Sequence, residues 1–327
     1  MNDFSSLKKV ELHLHLEGAA EPDFVREICV ENDKERPDIF DKEGNYKWDS
    51  FEEFLKVYEI VTDLFLSEES FEKLLRHVLY KQVKSNIIYS EIFLGPHLWG
   101  DKICEKWFSF LRIARNVAME FKEKHYIVCN FIIVAIRHLG PEKAIEAAEF
   151  ASQGKEFGVV GFGMAGNESA FTTRLFQPSF DIANMADLGL TSHAGEICGA
   201  DSVREAIDLG VKRIGHGVRA NEDKELVKQL LKEDIMLEVC PGSNLGLGLF
   251  KSMVEHPIDD FLKLGLPISV STDDPPFFHT NLNKEYLELH KTFGWNKEIF
   301  DQLNLKSINY AFCDSQQKVE LRKQLIK

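Results

Sequence analysis

Polar and apolar residues alternate through Leu12-His13-Leu14-His15-Leu16. A period of two predicts a β-strand with His13 and His15 on one face and the leucines on the other. The period then changes. Phe51, Phe54, Leu55, Tyr58 and Phe65 follow helical spacing behind Ser50, which forms a capping-box pattern with Glu53. Ser67 is placed to cap a second helix whose buried stripe is Leu74, Leu75, Val78 and Leu79. A β-rich run from Asn86 to Phe93 follows, ending at Gly95-Pro96. The stretch between these two strands is longer than a simple crossover, so extra helices are expected there, with covering a site as one use for them.

From this point the alternation is regular. A helix carrying Trp107, Phe110, Leu111, Ala114 and Phe121 leads to a strand from Tyr126 to Val134, and the next helix is entered at Pro141. Short apolar runs recur at Val159–Phe162, Leu190–His193, Arg213–His216, Ile235–Val239 and Ile268–Ser271, each separated by a helical segment. The sum is about eight strands in an α/β fold, the pattern of a (β/α)8 TIM barrel, with extra helices after strand one and over Lys284 to Lys327. A doubly wound sheet would place a glycine-rich phosphate loop after an early strand, and the first strand here ends in His-Leu-Glu-Gly instead. With no repeat, low-complexity tract or linker in sight, residues 1–327 read as one domain.

Composition narrows the class. The chain is 44% hydrophobic and 28% charged, as in globular proteins, and its 39 basic against 53 acidic residues give a net charge of -14. That balance argues against nucleic acid as the main partner and leaves a small molecule open. Cysteines 29, 104, 129, 198, 240 and 313 are scattered without a Cys-x-x-Cys pair, which reads as reduced thiols in a cytoplasmic protein. Met1 to Lys9 contains no apolar stretch of the secretory kind, and the longest apolar runs, such as Phe131 to Ile136, fall far short of the roughly 20 residues that cross a bilayer. No motif bears on oligomeric state.

In a barrel of this kind, side chains at the C-terminal ends of the strands face one site. His13 and His15 mark the first strand end, His193 the fifth, His216 the sixth, and Asp273-Asp274 the eighth. Singly, each has an ordinary explanation as a satisfied polar residue or a turn former. Jointly, His13, His15, His193 and one of Asp273 or Asp274 make a nitrogen-rich set with one hard oxygen, suited to zinc. Zinc would lower the pKa of water toward neutrality, and a carboxylate with an imidazole would then handle protons.

The sequence resembles the adenosine deaminase family of zinc-dependent aminohydrolases. The resemblance is carried by His13-Leu14-His15-Leu16-Glu17-Gly18, Ser192-His193-Ala194-Gly195-Glu196, Gly215-His216-Gly217 and Ser271-Thr272-Asp273-Asp274-Pro275, with Met164-Ala165-Gly166-Asn167-Glu168 in support. It implies His13, His15, His193 and Asp273 as ligands of one zinc ion per chain. It implies Glu196 as the proton donor to the ring nitrogen beside the attacked carbon, and His216 as the group that orients or deprotonates the water. Asp274 would hold the five-membered ring and the water, and the Gly166 backbone would meet the ring edge opposite, where a missing side chain permits close approach. With His15 and Glu17 these form the substrate-facing set. Two-metal relatives often carry a bridging lysine on the fourth strand, and Gly161-Phe162-Gly163-Met164 offers none, so one metal is expected.

The reaction so implied is attack of zinc-activated hydroxide at C6 of a 6-aminopurine, releasing ammonia. Adenosine or deoxyadenosine, giving the inosine product, is the first reading, supported by Ala165–Glu168 and Thr272–Pro275. Adenine to hypoxanthine is the alternative, because Glu17 stands where nucleoside enzymes of the family usually carry Asp and adenine deaminases resemble this chain in carrying Glu. A metal-stabilised binding protein is the non-enzymatic alternative. Glu196 and His216 weigh against it, since a structural zinc site needs neither and is normally closed by four protein ligands.

Overall fold

The computed structural model describes residues 4–31, 36–99 and 105–326, so Met1 to Asp3 and Cys104 lie outside the described residues. Its strands are β1 (Lys9–His15), β2 (Ile87–Leu94), β3 (Val128–Ile136), β4 (Val159–Ala165), β5 (Gly189–Ala194), β6 (Arg213–His216), β7 (Met236–Val239) and β8 (Ile268–Val270). They form one eight-stranded parallel sheet in chain order. The ring closes where Leu14 lies opposite Asp273: the His15 N–H donates to the Asp273 carbonyl at 3.1 Å and the Asp273 N–H to the His13 carbonyl at 3.1 Å. This is the (β/α)8 barrel that the spacing of apolar runs predicts.

Helices α1 (Pro22–Glu31), α2 (Phe51–Thr62) and α3 (Glu68–Lys84) fill the long first connection. After β2 to β6 come α4 (Glu105–His125), α5 (Pro141–Gln153), α6 (Gln177–Met185), α7 (Ala200–Asp208) and α8 (Lys224–Lys232) in turn. The short α9 (Pro241–Gly246) and α10 (Ile258–Leu264) link β7 to β8, and α11 (Leu282–Phe293), α12 (Lys297–Tyr310) and α13 (Ser315–Ile326) are appended. Among the described residues no helix is long and apolar enough to cross a membrane. Ser50 caps α2 by accepting the Glu53 N–H at 3.2 Å, but the Glu53 carboxylate returns to the N–H of Asp49 rather than to that of Ser50, so the expected box is open on one side. The reciprocal box forms instead between Ser67 and Ser70 at the start of α3.

Parallel strands covered on both faces are apolar throughout, and β3 shows how the period of two sorts them. Phe131, Ile133 and Ala135 pack in the layer beneath the helices, while Ile132, Val134 and Ile136 pack with Phe93 and Ala165 inside the barrel. In β1 the period breaks. Leu12 does not join Leu14 and Leu16 in the outer layer but packs with Val10, Tyr89 and Met236. The cause is a register shift between Glu11 and Leu14, where β1 advances three residues against two of β2.

The segment joining α12 to α13 closes the N-terminal end of the barrel. The Phe312 ring lies so near β4 and β5 that a Cβ on Gly189 would fall 2.1 Å from it, which is why a glycine stands there. Above Phe312, the buried Arg213 guanidinium stacks at 3.7 Å from the ring and lies 2.5 Å from a carboxylate oxygen of Glu91 and 2.5 Å from one of Glu238. Glu91 also accepts from the Tyr89 hydroxyl at 2.5 Å and the Phe312 N–H at 2.6 Å. Burial works against the Glu238 carboxylate, and the Arg213 charge with the His13 hydrogen bond outweighs it, holding its pKa below the usual range.

Removing Arg213 leaves two carboxylates without their cation in a site closed to water. Arg213→Ala is expected to lower stability by about 3–5 kcal/mol, read as a shift of the urea unfolding midpoint at unchanged slope. A loss under about 1 kcal/mol would mean that the carboxylates do not rely on it.

Candidate active site

The C-terminal ends of four strands converge. His13 and His15 come from β1, His193 from β5, His216 from β6, and Asp273 and Asp274 from the segment just past β8. Two of these strand ends turn sharply: His216 (φ 62°) and Asp273 (φ 66°) adopt the left-handed conformation, which costs a non-glycine residue on the order of 1–3 kcal/mol and persists only where the surroundings enforce it. Neighbouring glycines make the room. A Cβ on Gly215 would lie 2.8 Å from the His13 ring and 3.2 Å from that of His193, and one on Gly18 would fall on the Asp274 carboxyl at 1.6 Å.

One ligand atom each from His13, His15, His193 and Asp273 lies within 4.8 Å of all the others. The Nε2 atoms of His15 and His193 are 3.1 Å apart, and Asp273 Oδ1 is 3.4 Å from Nε2 of both His13 and His15. A tetrahedral ion bonded at about 2.0–2.1 Å requires its ligands to be about 3.3–3.4 Å from one another. Second partners aim the rings. His13 gives its Nδ1–H to Glu238 at 2.8 Å and His193 its Nδ1–H to the Met164 carbonyl at 2.9 Å, which leaves both Nε2 lone pairs pointing inward, that of His13 buried with no hydrogen-bond partner. Ser243 donates to Asp273 Oδ2 at 2.6 Å. Three converged imidazole nitrogens beside a carboxylate fit a divalent cation.

Glu196, His216 and Asp273 form an adjoining group. Burial and the charges of Asp273 and Glu168 push the Glu196 carboxyl well above its usual range, which favours its protonated form. Burial with Asp273 and Glu196 does the same for Asp274, whose Oδ1 is buried without a partner. His216 Nε2 is 3.6 Å from Glu196 and 4.0 Å from Asp273.

These groups open onto a cavity lined by His15, His193, Glu196 and Asp274 and by Phe51, Phe54, Leu55 and Tyr58 of α2 together with Phe278. The long first connection thus supplies a wall of the pocket. Glu17 is buried in that wall, where Trp99 donates its indole N–H at 3.0 Å, and burial raises its pKa to about 7. Gly166 lines the cavity too, and the backbone gives further reasons for a glycine there. Its φ is 95°, and a Cβ would lie 2.9 Å from Nδ1 of His138.

Several contributors escape sequence reasoning. Glu168 holds the loop that carries Glu196: its carboxylate accepts the N–H groups of Gly195 (2.5 Å), Glu196 (3.2 Å), Ile197 (2.8 Å) and Cys198 (2.8 Å), and the Ser202 hydroxyl (2.5 Å). Trp99 and Glu238 were both visible as residues, the first just beyond a strand end and the second as a charge inside the apolar run Met-Leu-Glu-Val, but nothing in the sequence pairs them with Glu17 and His13.

A parallel barrel with three imidazoles, a carboxylate and a buried acid at its C-terminal face defines a hydrolase of the metal-dependent amidohydrolase class. Residues 8–327 match the family model for adenosine deaminase, and the chain belongs to the adenosine deaminase family. It is 38% identical over 322 residues to an adenine deaminase of Rhizobium rhizogenes, covering 97% of this chain and 98% of that one. Its fold is like that of the adenine deaminase of Arthrobacter aurescens, with a TM-score of 0.90 at 24% identity over 98% of both chains. It is also like that of an amidohydrolase of Burkholderia ambifaria with bound zinc, with a TM-score of 0.86 at 23% identity over 99% of this chain and 90% of that one.

His13→Ala and Glu168→Gln should separate metal holding from acid positioning. The first is expected to lose most bound metal, measured by elemental analysis, and activity with it. The second keeps its metal but turns an amide N–H into a nest of N–H donors, and its kcat should fall about 10²-fold as Glu196 loses its placement. Full turnover in Glu168→Gln would show that the loop holds Glu196 without it.

Proposed function

We propose that the protein hydrolyses adenine to hypoxanthine and ammonia. The observation that carries this reading is the relative named adenine deaminase, which matches from end to end, and it reverses the order of the two sequence readings: adenosine yields to adenine. The pocket supports the same choice. Phe51, Phe54, Leu55 and Phe278 offer ribose hydroxyls an apolar surface, and each buried hydroxyl left without a partner costs about 1–3 kcal/mol. Glu17, held by Trp99, stands at the pocket wall as a ready partner for a small polar base.

In this reading His13, His15, His193 and Asp273 hold a divalent ion, zinc being favoured by the nitrogen-rich set and by the zinc-bearing structural neighbour. When bound, such an ion lowers the pKa of water and supplies a nucleophile near neutral pH. The protein's own groups do the rest. Glu196, kept protonated by burial and by Asp273, gives its proton to N1 of the ring. That draws electrons from C6, the carbon that takes the oxygen and sheds the amino group as ammonia. Asp274 bonds the imidazole edge of the base, Gly166 meets the opposite edge, and His216 faces the incoming oxygen.

Purified, zinc-loaded protein is expected to favour adenine over adenosine by at least about 10²-fold in kcat/KM. Ammonia release from adenosine at the higher rate would overturn the assignment. Glu196→Gln should keep its metal and lose about 10²-fold or more in kcat, while loss of the metal in that variant would make Glu196 a ligand.

A further inference from the structure

His216 is linked through two buried side chains to a backbone amide in the next connection, and the links have directions. Ile258, the first residue of α10, presents its N–H to Nδ1 of His256 at 3.2 Å. A main-chain N–H can only donate, so Nδ1 of His256 carries no proton and its ring proton sits on Nε2. That nitrogen faces Asn244 at 3.1 Å, which must therefore turn its carbonyl oxygen toward it. The Asn244 amide nitrogen is then left for Nδ1 of His216, 3.2 Å away. Rotating the Asn244 amide by half a turn would set two donors against each other at His256, so the orientation is determined. His216, Asn244 and His256 are 1%, 0% and 3% exposed, which leaves no solvent to replace a lost link. Burial also drives the His256 imidazole down to about 3, keeping it neutral.

We propose that Asn244 and His256 are positioning residues that lock His216 in the Nε2–H form, so that it faces the reaction centre as a hydrogen-bond donor. Nδ1 is occupied as an acceptor, and the remaining ring proton points to the site, where oxygen atoms of Glu196 and Asp273 lie 3.6 and 4.0 Å from Nε2. Two consequences follow. His216 holds the attacking oxygen by donation and does not take its proton. The group formed by Glu196, His216 and Asp273 is also not a second metal site, because the nitrogen it would need carries hydrogen.

The inference rests on this pocket being the catalytic one, but the decisive measurement uses no substrate. Protein labelled with ¹⁵N in its histidine rings, loaded with zinc, reports the tautomer of each imidazole through two-bond ¹H–¹⁵N correlations, and the His216 signals are identified by their loss in His216→Gln. The wild type is expected to show His216 protonated at Nε2 and His256 likewise. Asn244→Asp replaces the donor by an acceptor and should move the His216 proton to Nδ1. Its kcat should drop by about 10²-fold or more, with KM within about threefold and the zinc retained, since no ligand has been touched. An Nδ1–H ring or a mixture of forms in the wild type would overturn the proposal, and so would a wild-type tautomer in a folded Asn244→Asp. If Asn244→Asp does not fold, the wild-type spectrum decides alone. An enzyme that turned out to prefer adenosine would leave that spectrum unchanged, so the two readings fail separately.

Discussion

A guanidinium buried inside a barrel has no water to solvate it, and that of Arg213 is held by two carboxylates of the barrel interior, Glu91 and Glu238. The second of these reaches the candidate active site, because Glu238 also accepts the Nδ1–H of His13. A charged acceptor at that position fixes which nitrogen of His13 bears hydrogen and which lone pair faces the centre. The geometry of the opposite end of the barrel is thereby tied to its floor, where Phe312 both stacks on Arg213 and donates to Glu91. Buried ion pairs contribute little net stability over an apolar core. Here the pair specifies the orientation of an imidazole, a task that leucine and valine cannot perform.

The same device recurs around the site with other partners. His193 is held by a carbonyl of β4, His216 by an amide side chain after β7, and the loop bearing Glu196 by the Glu168 carboxylate after β4. Each inward-facing group is thus aimed by a residue from a different strand or connection. The raised pKa of Glu196 and the lowered one of Asp273 follow from this crowding. Burial opposes the Asp273 charge, but the imidazoles crowded around it, that of His13 first, hold its pKa far down, and its negative charge in turn helps to raise that of Glu196.

How much of this the sequence discloses depends on whether the determining contact is local. Each strand was legible because a parallel barrel strand is a short apolar run between helices, and His13, His193, His216 and the pair Asp273-Asp274 were legible as candidates because polar residues at the ends of such runs face one site, although strand position alone did not choose between the two aspartates. The face of Leu12 was not, since the bulge in β1 depends on how β2 pairs with it. Nor were the partnerships of Glu238, Asn244 and His256, where each residue type has an ordinary local use and acquires another only through neighbours far away in the chain. Phe312 reads as one more aromatic residue in a helical tail until the glycines of β4 and β5 are seen to make space for it.

The bridge that closes the barrel has a consequence for biosynthesis. It joins the backbone of His13 and His15 to that of Asp273, and those three residues also carry ligand atoms of the candidate metal centre. The first two leave the ribosome at the outset and the last only after some 80% of the 327 residues have been made. A nascent chain halted before β8 therefore has neither a closed ring nor a complete coordination set, and cannot hold an ion as the finished protein would. Ring closure and completion of the candidate metal centre therefore fall at the same late moment of synthesis.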